Sequence, residues 1–422
     1  MDLLTHFRTV RQLMRGYPLR VWLICFGAYL FSQMDLAMWG YALPLIRKEF
    51  DLSRTQLGLM TGVAFVCGGL GLVALGNLAD RAGRRRMLML GTVLSSLFVS
   101  AHSLVRGVFS LTLVRAASLA TGGLLYPATG ALIAEEAPAR VRGFMAGLLQ
   151  IAYPIGWFLA SLIGLLVLER FGWRAMFVFG LASLPFVFVI QRGLRESQRF
   201  AAASDPAQRA KIGELFAPHM RRRSIALFLA QYCFVIAYGG AFIFAPLYFH
   251  EARGFDIGGT SVLVGLANLI GVLGYVLAAW VGEFHLTRRT TTVLWTFLGG
   301  TFYALFLWLS RDYLSSLIGF SCAAVFLLGT AAVKFAFIAE MFPTRLRATG
   351  ISVCGSLPVN LGQATGPLLI GWLSDHYGWT MAMAAGTVLP LFTAGFLYLT
   401  LQPVPSGIDV DEIQQRLGSR TG

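Results

Sequence analysis

Twelve apolar runs, each long enough to cross a bilayer, constrain this 422-residue chain to a polytopic α-helical membrane fold. A hydrocarbon core of about 30 Å takes roughly 20 apolar residues, because a helix rises about 1.5 Å per residue. Such runs fall near 21–46, 56–77, 87–105, 109–134, 143–168 and 173–191, and again near 223–249, 259–282, 291–310, 313–341, 347–373 and 379–401. Some, such as 313–341, exceed the minimum and are expected to tilt or to project beyond the lipid.

Only 13% of residues are charged, about half the share found in soluble proteins, and the mean hydropathy is +0.68. The net charge of +14 is not read as a nucleic-acid footprint, because the basic residues stand in short clusters between apolar runs. With the N-terminus inside, 24 Lys and Arg fall on the cytoplasmic side and eight on the other. That asymmetry predicts both termini in the cytoplasm. The expected protein is a multi-pass monomer of the bacterial inner membrane, without nucleic acid as a partner. The first apolar run follows Arg8, Arg11, Arg15 and Arg20 with no small-residue cleavage site, and is expected to stay as the first span. Five dispersed cysteines and six dispersed histidines form no disulfide framework, metal site or catalytic cluster, and no ATP-binding motif appears. The chain is therefore expected to work as a transporter without metal or cofactor, and not as an enzyme.

The longest polar interruption divides the spans six and six. The expected organisation is a cytoplasmic segment over 1–20, a six-helix bundle over 21–192, a linker over 193–222, a second bundle over 223–402 and a cytoplasmic tail over 403–422. The two halves echo each other, as repeat-built transporters do. Gly76-Asn-Leu-Ala-Asp80-Arg81-Ala-Gly83-Arg84-Arg85-Arg86 after span two has a degraded copy, Val281-Gly282-Glu283-Phe-His-Leu-Thr-Arg288-Arg289. Glu135-Glu136-Ala-Pro138-Ala-Arg140-Val-Arg142-Gly143 after span four recurs as Glu340-Met-Phe-Pro343-Thr-Arg345-Leu-Arg347 after span ten.

The first of these motifs resembles the loop 2–3 signature of the major facilitator superfamily at every expected position. The second, with Arg195-Glu-Ser-Gln-Arg-Phe200, resembles the metabolite, sugar-acid and sialate-type proton-symporter branches. The resemblance runs from about 20 to 402 and implies two pseudo-symmetric six-helix bundles with spans one, four, seven and ten around a central cavity. It also implies a cytoplasmic charge latch, for which Asp80, Arg84, Arg85, Glu135, Arg142, Glu283, Glu340 and Arg347 are the candidates. The plainer alternative is that these charges only anchor loops at the headgroups.

Three ionisable residues lie inside apolar runs: Asp35, Arg115 and Lys334. A charge at mid-membrane costs several kcal/mol, so such residues face a cavity and mark transport paths. Asp35, in span one, is the expected proton-coupling residue, since a carboxyl held out of water can take up and release a proton. Proton symporters of organic acids, which the chain resembles, often carry such an Asp. The alternative is a structural partner of a cation. Arg115 and Lys334, one in each half, suit an anionic substrate; alternatively each neutralises Asp35, or Arg115 snorkels outward. One departure stands out: the family often shows Arg-x-x-x-Gly-x-Gly in span four, where this chain has Leu119. Polar stripes add Gln150 and Tyr153 with Trp157, Gln231 with Phe234 and Tyr238, and Asn360 and Gln363 with Ser356, as substrate-binding or helix-packing residues. Ile151–Gly156 does not match the antiporter motif of span five, which favours symport. The expected activity is proton-coupled uptake of a small organic anion. The alternatives are an exporter of drugs or metabolites, or an importer of a planar aromatic or vitamin-like compound.

Overall fold

The computed structural model describes residues 12–138, 141–195, 212–218 and 220–402. Within them the regular structure is helical, with no strand. The helices are α1 (Tyr17–Glu49), α2 (Arg54–Ala82), α3 (Arg84–Ala101), α4 (Val108–Gly122), α5 (Leu125–Glu136), α6 (Arg142–Leu149), α7 (Ala152–Val178) and α8 (Leu184–Gly193). They continue as α9 (Arg221–Arg253), α10 (Ile257–Phe284), α11 (Arg288–Leu309), α12 (Tyr313–Glu340), α13 (Thr344–Ile351), α14 (Leu357–Met383) and α15 (Leu389–Leu399). Most of the linker and the C-terminal tail lie outside the described residues.

Among the described residues nine stretches are long and apolar enough to cross a membrane. Two of them, Met145–Gly193 and Thr349–Leu399, run to 49 and 51 residues, about 75 Å of helix and more than twice a bilayer core. Each turns sharply at one glycine. Gly172 has φ 77° and ψ 174°, and Gly378 has φ 78° and ψ 168°, a region open essentially only to glycine. Each stretch is therefore two crossings, and α2, 29 residues long, completes the twelve expected from the sequence.

Local signals set where the helices begin and end. Asp256 and Thr287 cap α10 and α11 by accepting from the backbone N–H groups of Gly259 and Thr290. Asp312 and Ser315 form a reciprocal capping box at the start of α12. Gly254, in the left-handed region at φ 69°, ends α9.

The chain forms two compact units, one of residues 1–50 and 63–204 and one of 51–62 and 205–422. In the first, α1 packs along α7 and α5, and α3 packs against α4 and α8. In the second, α9 packs along α14, α12 lies between α10 and α11, and α15 contacts both α9 and α11. First-with-fifth, third-with-fourth and third-with-sixth pairings thus recur in both units. The repeat reaches finer detail. Spans five and eleven each open with an eight-residue helix, α6 or α13. The first is broken at Gln150–Ile151 and the second by a π-helical turn at Ser352–Ser356, before the long helix resumes. Such interruptions are frequent at functional positions in helices.

Close helix approach depends on small residues, since lipid tails give no hydrophobic drive for helices to associate. A Cβ on Gly156 would lie 2.8 Å from the Met34 backbone nitrogen, and one on Gly274 only 1.8 Å from the Val325 carbonyl oxygen. These two glycines set the α1–α7 and α10–α12 contacts.

Candidate functional site

In the first unit the site is built on α1, α3 and α4. Asp35 and Arg115 are 5% and 1% exposed, and Asp35 is the only buried carboxylate among the described residues. Its polar neighbours are the Arg115 guanidinium and the Ser95 hydroxyl. The guanidinium lies over the Trp39 ring, 4.8 Å from its centroid, a cation–π contact that is strengthened out of water. Arg115 therefore does not snorkel outward. Loss of the family glycine at Leu119 leaves α4 intact to Gly122, and the span breaks only at Gly123–Leu124. Asp35 Oδ1, Arg115 Nε and Arg115 Nη2 are buried with no hydrogen-bond partner among the described residues. Buried polar atoms rarely stay unpaired, so these three are where a proton, water or anion is expected.

A polar and aromatic wall extends this site along α1 and α7. The Tyr29 hydroxyl donates to Gln150 Oε1 at 3.4 Å, and the Tyr41 hydroxyl to the Trp157 carbonyl at 3.2 Å. Tyr153 and Trp157 have ring centroids 5.9 Å apart. Gln150 sits at the helix break, and Gln150, Tyr153 and Trp157 all turn toward α1 and its neighbours.

In the second unit Lys334 is 4% exposed on α12, and its Nζ lies 3.9 Å from the Phe234 ring centroid. Phe234 begins an aromatic ladder on α9: it stacks with Tyr238 at 6.1 Å, and Tyr238 meets Phe242 at 4.8 Å. Beside the ladder, Gln231 Oε1 accepts from the Tyr398 hydroxyl at 3.1 Å, while Gln231 Nε2 is buried with no hydrogen-bond partner. Gln363, against Gly239 on the same face of α9, has Oε1 in the same condition. Asn360 donates to the Ser356 carbonyl at 3.1 Å, which spends one of its two N–H groups on the π-helical turn. Gln231 and Tyr238 thus lie on α9, with Lys334 against Phe234 and Gln363 against Gly239 of the same helix, whereas Asn360 serves the backbone.

The loop motifs make matching ion pairs. Arg84, the first residue of α3, pairs with Glu135 near the end of α5 at 3.8 Å. Arg288, the first residue of α11, pairs with Glu340 at the end of α12 and with Glu283 at 2.8 Å. Arg85 donates instead to the Gln191 carbonyl at 2.6 Å, tying α3 to α8. Arg347 is partly buried on α13. The side chains of Asp80 and Arg142 lie outside the described residues.

Sequence reasoning missed a second pair of matching clusters at the other helix ends. In the first unit Trp173 Nε1 and Arg174 Nη1 both donate to Glu49 Oε2, at 2.7 and 2.6 Å, and the Arg174 guanidinium lies over the Trp173 ring. In the second, Trp379 Nε1 and Arg54 Nε both donate to Glu251 Oε2, at 3.2 and 2.8 Å, with Arg54 over Trp379. Thr55 and the Arg54 backbone also hold Asp375. The available signal was the repeated aromatic-Gly-Trp at 171–173 and 377–379, with a Glu closing spans one and seven. His102 was missed as well: it is buried, stacked on Phe177 at 4.5 Å and edge-on to Trp39 at 6.1 Å.

Twelve crossings, an internal repeat and buried charges on spanning helices define a membrane transporter, not an enzyme. The chain belongs to the Major Facilitator Superfamily, whose family model matches residues 25–353. It is 25% identical to the niacin transporter NiaP of Acinetobacter baylyi over 90% of this chain and 92% of that one. It is 29% identical to the 3-(3-hydroxy-phenyl)propionate transporter of Escherichia coli over 90% and 92% of the two chains. Among solved structures it resembles a bacterial homologue of the human lysosomal transporter Spinster, crystallised in an inward-facing and occupied conformation. That match has a TM-score of 0.76 and 17% identity, covering 91% of this chain and 96% of that one.

Proposed function

We propose that the protein is a proton-coupled symporter that takes up a small aromatic carboxylate by alternating access. The observation that carries this reading is the buried pairing of Asp35 with Arg115, each with a polar atom left unpartnered. A guanidinium out of water needs one negative charge. When Asp35 is ionised it supplies that charge. When Asp35 is protonated the charge must come from elsewhere, and a substrate carboxylate meets the requirement. Proton and anion are then favoured together, which couples the two flows one to one without net charge movement. Return of the proton to the lower-acidity side restores the Asp35–Arg115 pair and disfavours the bound anion.

The second unit supports an aromatic substrate. Lys334 stands at the head of the Phe234–Tyr238–Phe242 ladder, a cation beside planar rings, which is the chemistry that suits an aromatic carboxylate. Gln231 and Gln363 offer a donor and an acceptor beside it. The two relatives described above transport niacin and a hydroxyphenyl propionate by name, both aromatic carboxylates, which supports the same reading. Gln150 and Tyr153 serve as polar lining in the first unit, and Asn360 supports the π-helical turn.

The Arg84–Glu135 pair of the first unit and the Glu283–Arg288–Glu340 cluster of the second act as gating latches at the cytoplasmic ends of the helices, and Asp80, Arg85, Arg142 and Arg347 belong to the same latches by their place in the loop motifs. The positive-inside asymmetry supports both termini in the cytoplasm, the bacterial relatives support the inner membrane as the location, and the chain is taken to act there as a monomer. The deciding experiment is uptake into proteoliposomes. An inward acid gradient should drive accumulation of an aromatic carboxylate such as niacin, and Asp35→Asn should abolish accumulation while leaving exchange of substrate across the membrane. Wild-type uptake indifferent to the gradient would refute the coupling.

A further inference from the structure

Where the start of α1 meets the end of α8, the first unit carries a groove of about 630 Å³, apart from Asp35 and Arg115. Two glycine contacts hold the helices together beside it. A Cβ on Gly193 would lie 2.3 Å from Ile24 Cδ1, and one on Gly27 would lie 2.5 Å from the Phe186 ring. Toward the start of α1 the recess is open, and a Cβ on Gly16 would meet nothing within 4 Å. Its walls are the exposed side chains Leu19, Leu23, Phe188 and Val189. Its polar members are two arginines, Arg20 and Arg192, both exposed.

Among the described residues, nothing acidic offsets the charge at this rim. Arg85 is committed to the Gln191 carbonyl, and the Arg195 guanidinium lies over the Tyr17 ring while its backbone N–H donates to the Tyr17 hydroxyl. Arg20 and Arg192 make no ion pair among the described residues, and no acidic side chain lines the groove. An apolar trough ending at two adjacent guanidinium groups matches an amphiphile with one anionic end, and guanidinium forks suit phosphate oxygens. A soluble anion would find the arginines but have no use for the trough.

We propose that this groove binds an anionic glycerophospholipid. Its phosphodiester sits between Arg20 and Arg192, and one acyl chain lies along Leu23, Phe188 and Val189. Basic pockets between spanning helices on the cytoplasmic side are suited to such headgroups.

The test is native mass spectrometry of the full-length, detergent-purified protein with phosphatidylglycerol or the zwitterionic phosphatidylethanolamine. The wild type should retain phosphatidylglycerol preferentially. The double variant Arg20→Gln/Arg192→Gln should lose that retention roughly tenfold or more, while Arg86→Gln/Arg222→Gln leaves it unchanged. Leu23→Trp, which fills the trough with both arginines intact, should lower it as well and separates lipid from a free anion. Millimolar inorganic phosphate should not displace the lipid. Equal retention of the two lipids, retention unaffected by the double variant, or displacement by phosphate overturns the proposal. So does retention gained only when residues 1–11 are removed, since the chain's own N-terminus would then be the occupant.

Discussion

At the scale of single residues, the positions that matter most are those where a charge is held on an aromatic face. Arg115 lies over Trp39 and Lys334 over Phe234, contacts that stabilise each cation out of water without cancelling its charge. Lys334→Gln should raise the apparent KM for aromatic carboxylates about tenfold or more, the scale of one charge-assisted hydrogen bond. Neutral amides of the same compounds should be far less affected. Competition binding with acid and amide pairs measures this, and equal losses for both would remove Lys334 from substrate recognition. The three in-span charges were legible in the sequence because a charge in a long apolar run stands out. Their partners were not. That Asp35 meets Arg115 of its own unit, and that Asn360 bonds its own helix, depend on helix rotation and on a break at a particular turn. His102 was passed over because its histidine signal is weak without the Trp39 and Phe177 rings that enclose it.

At the scale of elements, the glycine turns and helix caps fix where crossings end. Gly172→Ala and Gly378→Ala force a side chain into a region that only glycine occupies without strain, at about 1–3 kcal/mol each. Each variant should show a lower unfolding temperature in detergent with its helical content unchanged. A neutral Gly172→Ala would mean that the turn relaxes. Glu49→Gln and Glu251→Gln remove the charge shared by a tryptophan and an arginine in each unit. Both should destabilise by about 1 kcal/mol, the upper range for partly exposed pairs, and by similar amounts if the repeat is energetic as well as geometric. The capping box of α12 has a pH signature. Backbone and side-chain hydrogen bonds from Ser315 hold the Asp312 carboxyl below its ordinary range. Its stabilisation is therefore present above the ordinary carboxylate pKa and fades as pH falls through the lower folded value. The protection of the amides at 313–316, measured as exchange relative to the intrinsic rate at each pH, should fall as the medium is acidified through that range, and Asp312→Asn should flatten the response.

At the scale of the whole molecule, the hydropathy of the chain made twelve crossings and their approximate limits readable, since bilayer thickness sets helix length directly. The two halves were readable from the loop motifs, because those carry charge at fixed spacing. The repeat of the Glu–Trp–Arg clusters was harder to see. One arginine follows its tryptophan in sequence, while the other arrives from the start of α2, so no linear pattern links them. The paired breaks at 150–151 and 352–356 were equally hidden, since nothing in the local composition marks a π-helical turn. If gating uses both loop latches, Arg84→Gln and Arg288→Gln should each speed substrate leakage down its gradient in proteoliposomes. Combining them should exceed either alone, and tight vesicles with both changes would argue that the pairs only anchor loops. A practical corollary attaches to the corners at Gly172 and Gly378. Because the polypeptide reverses there within a single residue, no slack connects the adjoining crossings. Epitope tags or protease sites inserted at those two points should abolish expression, whereas the same cassettes placed in the stretch 196–211 should be accepted.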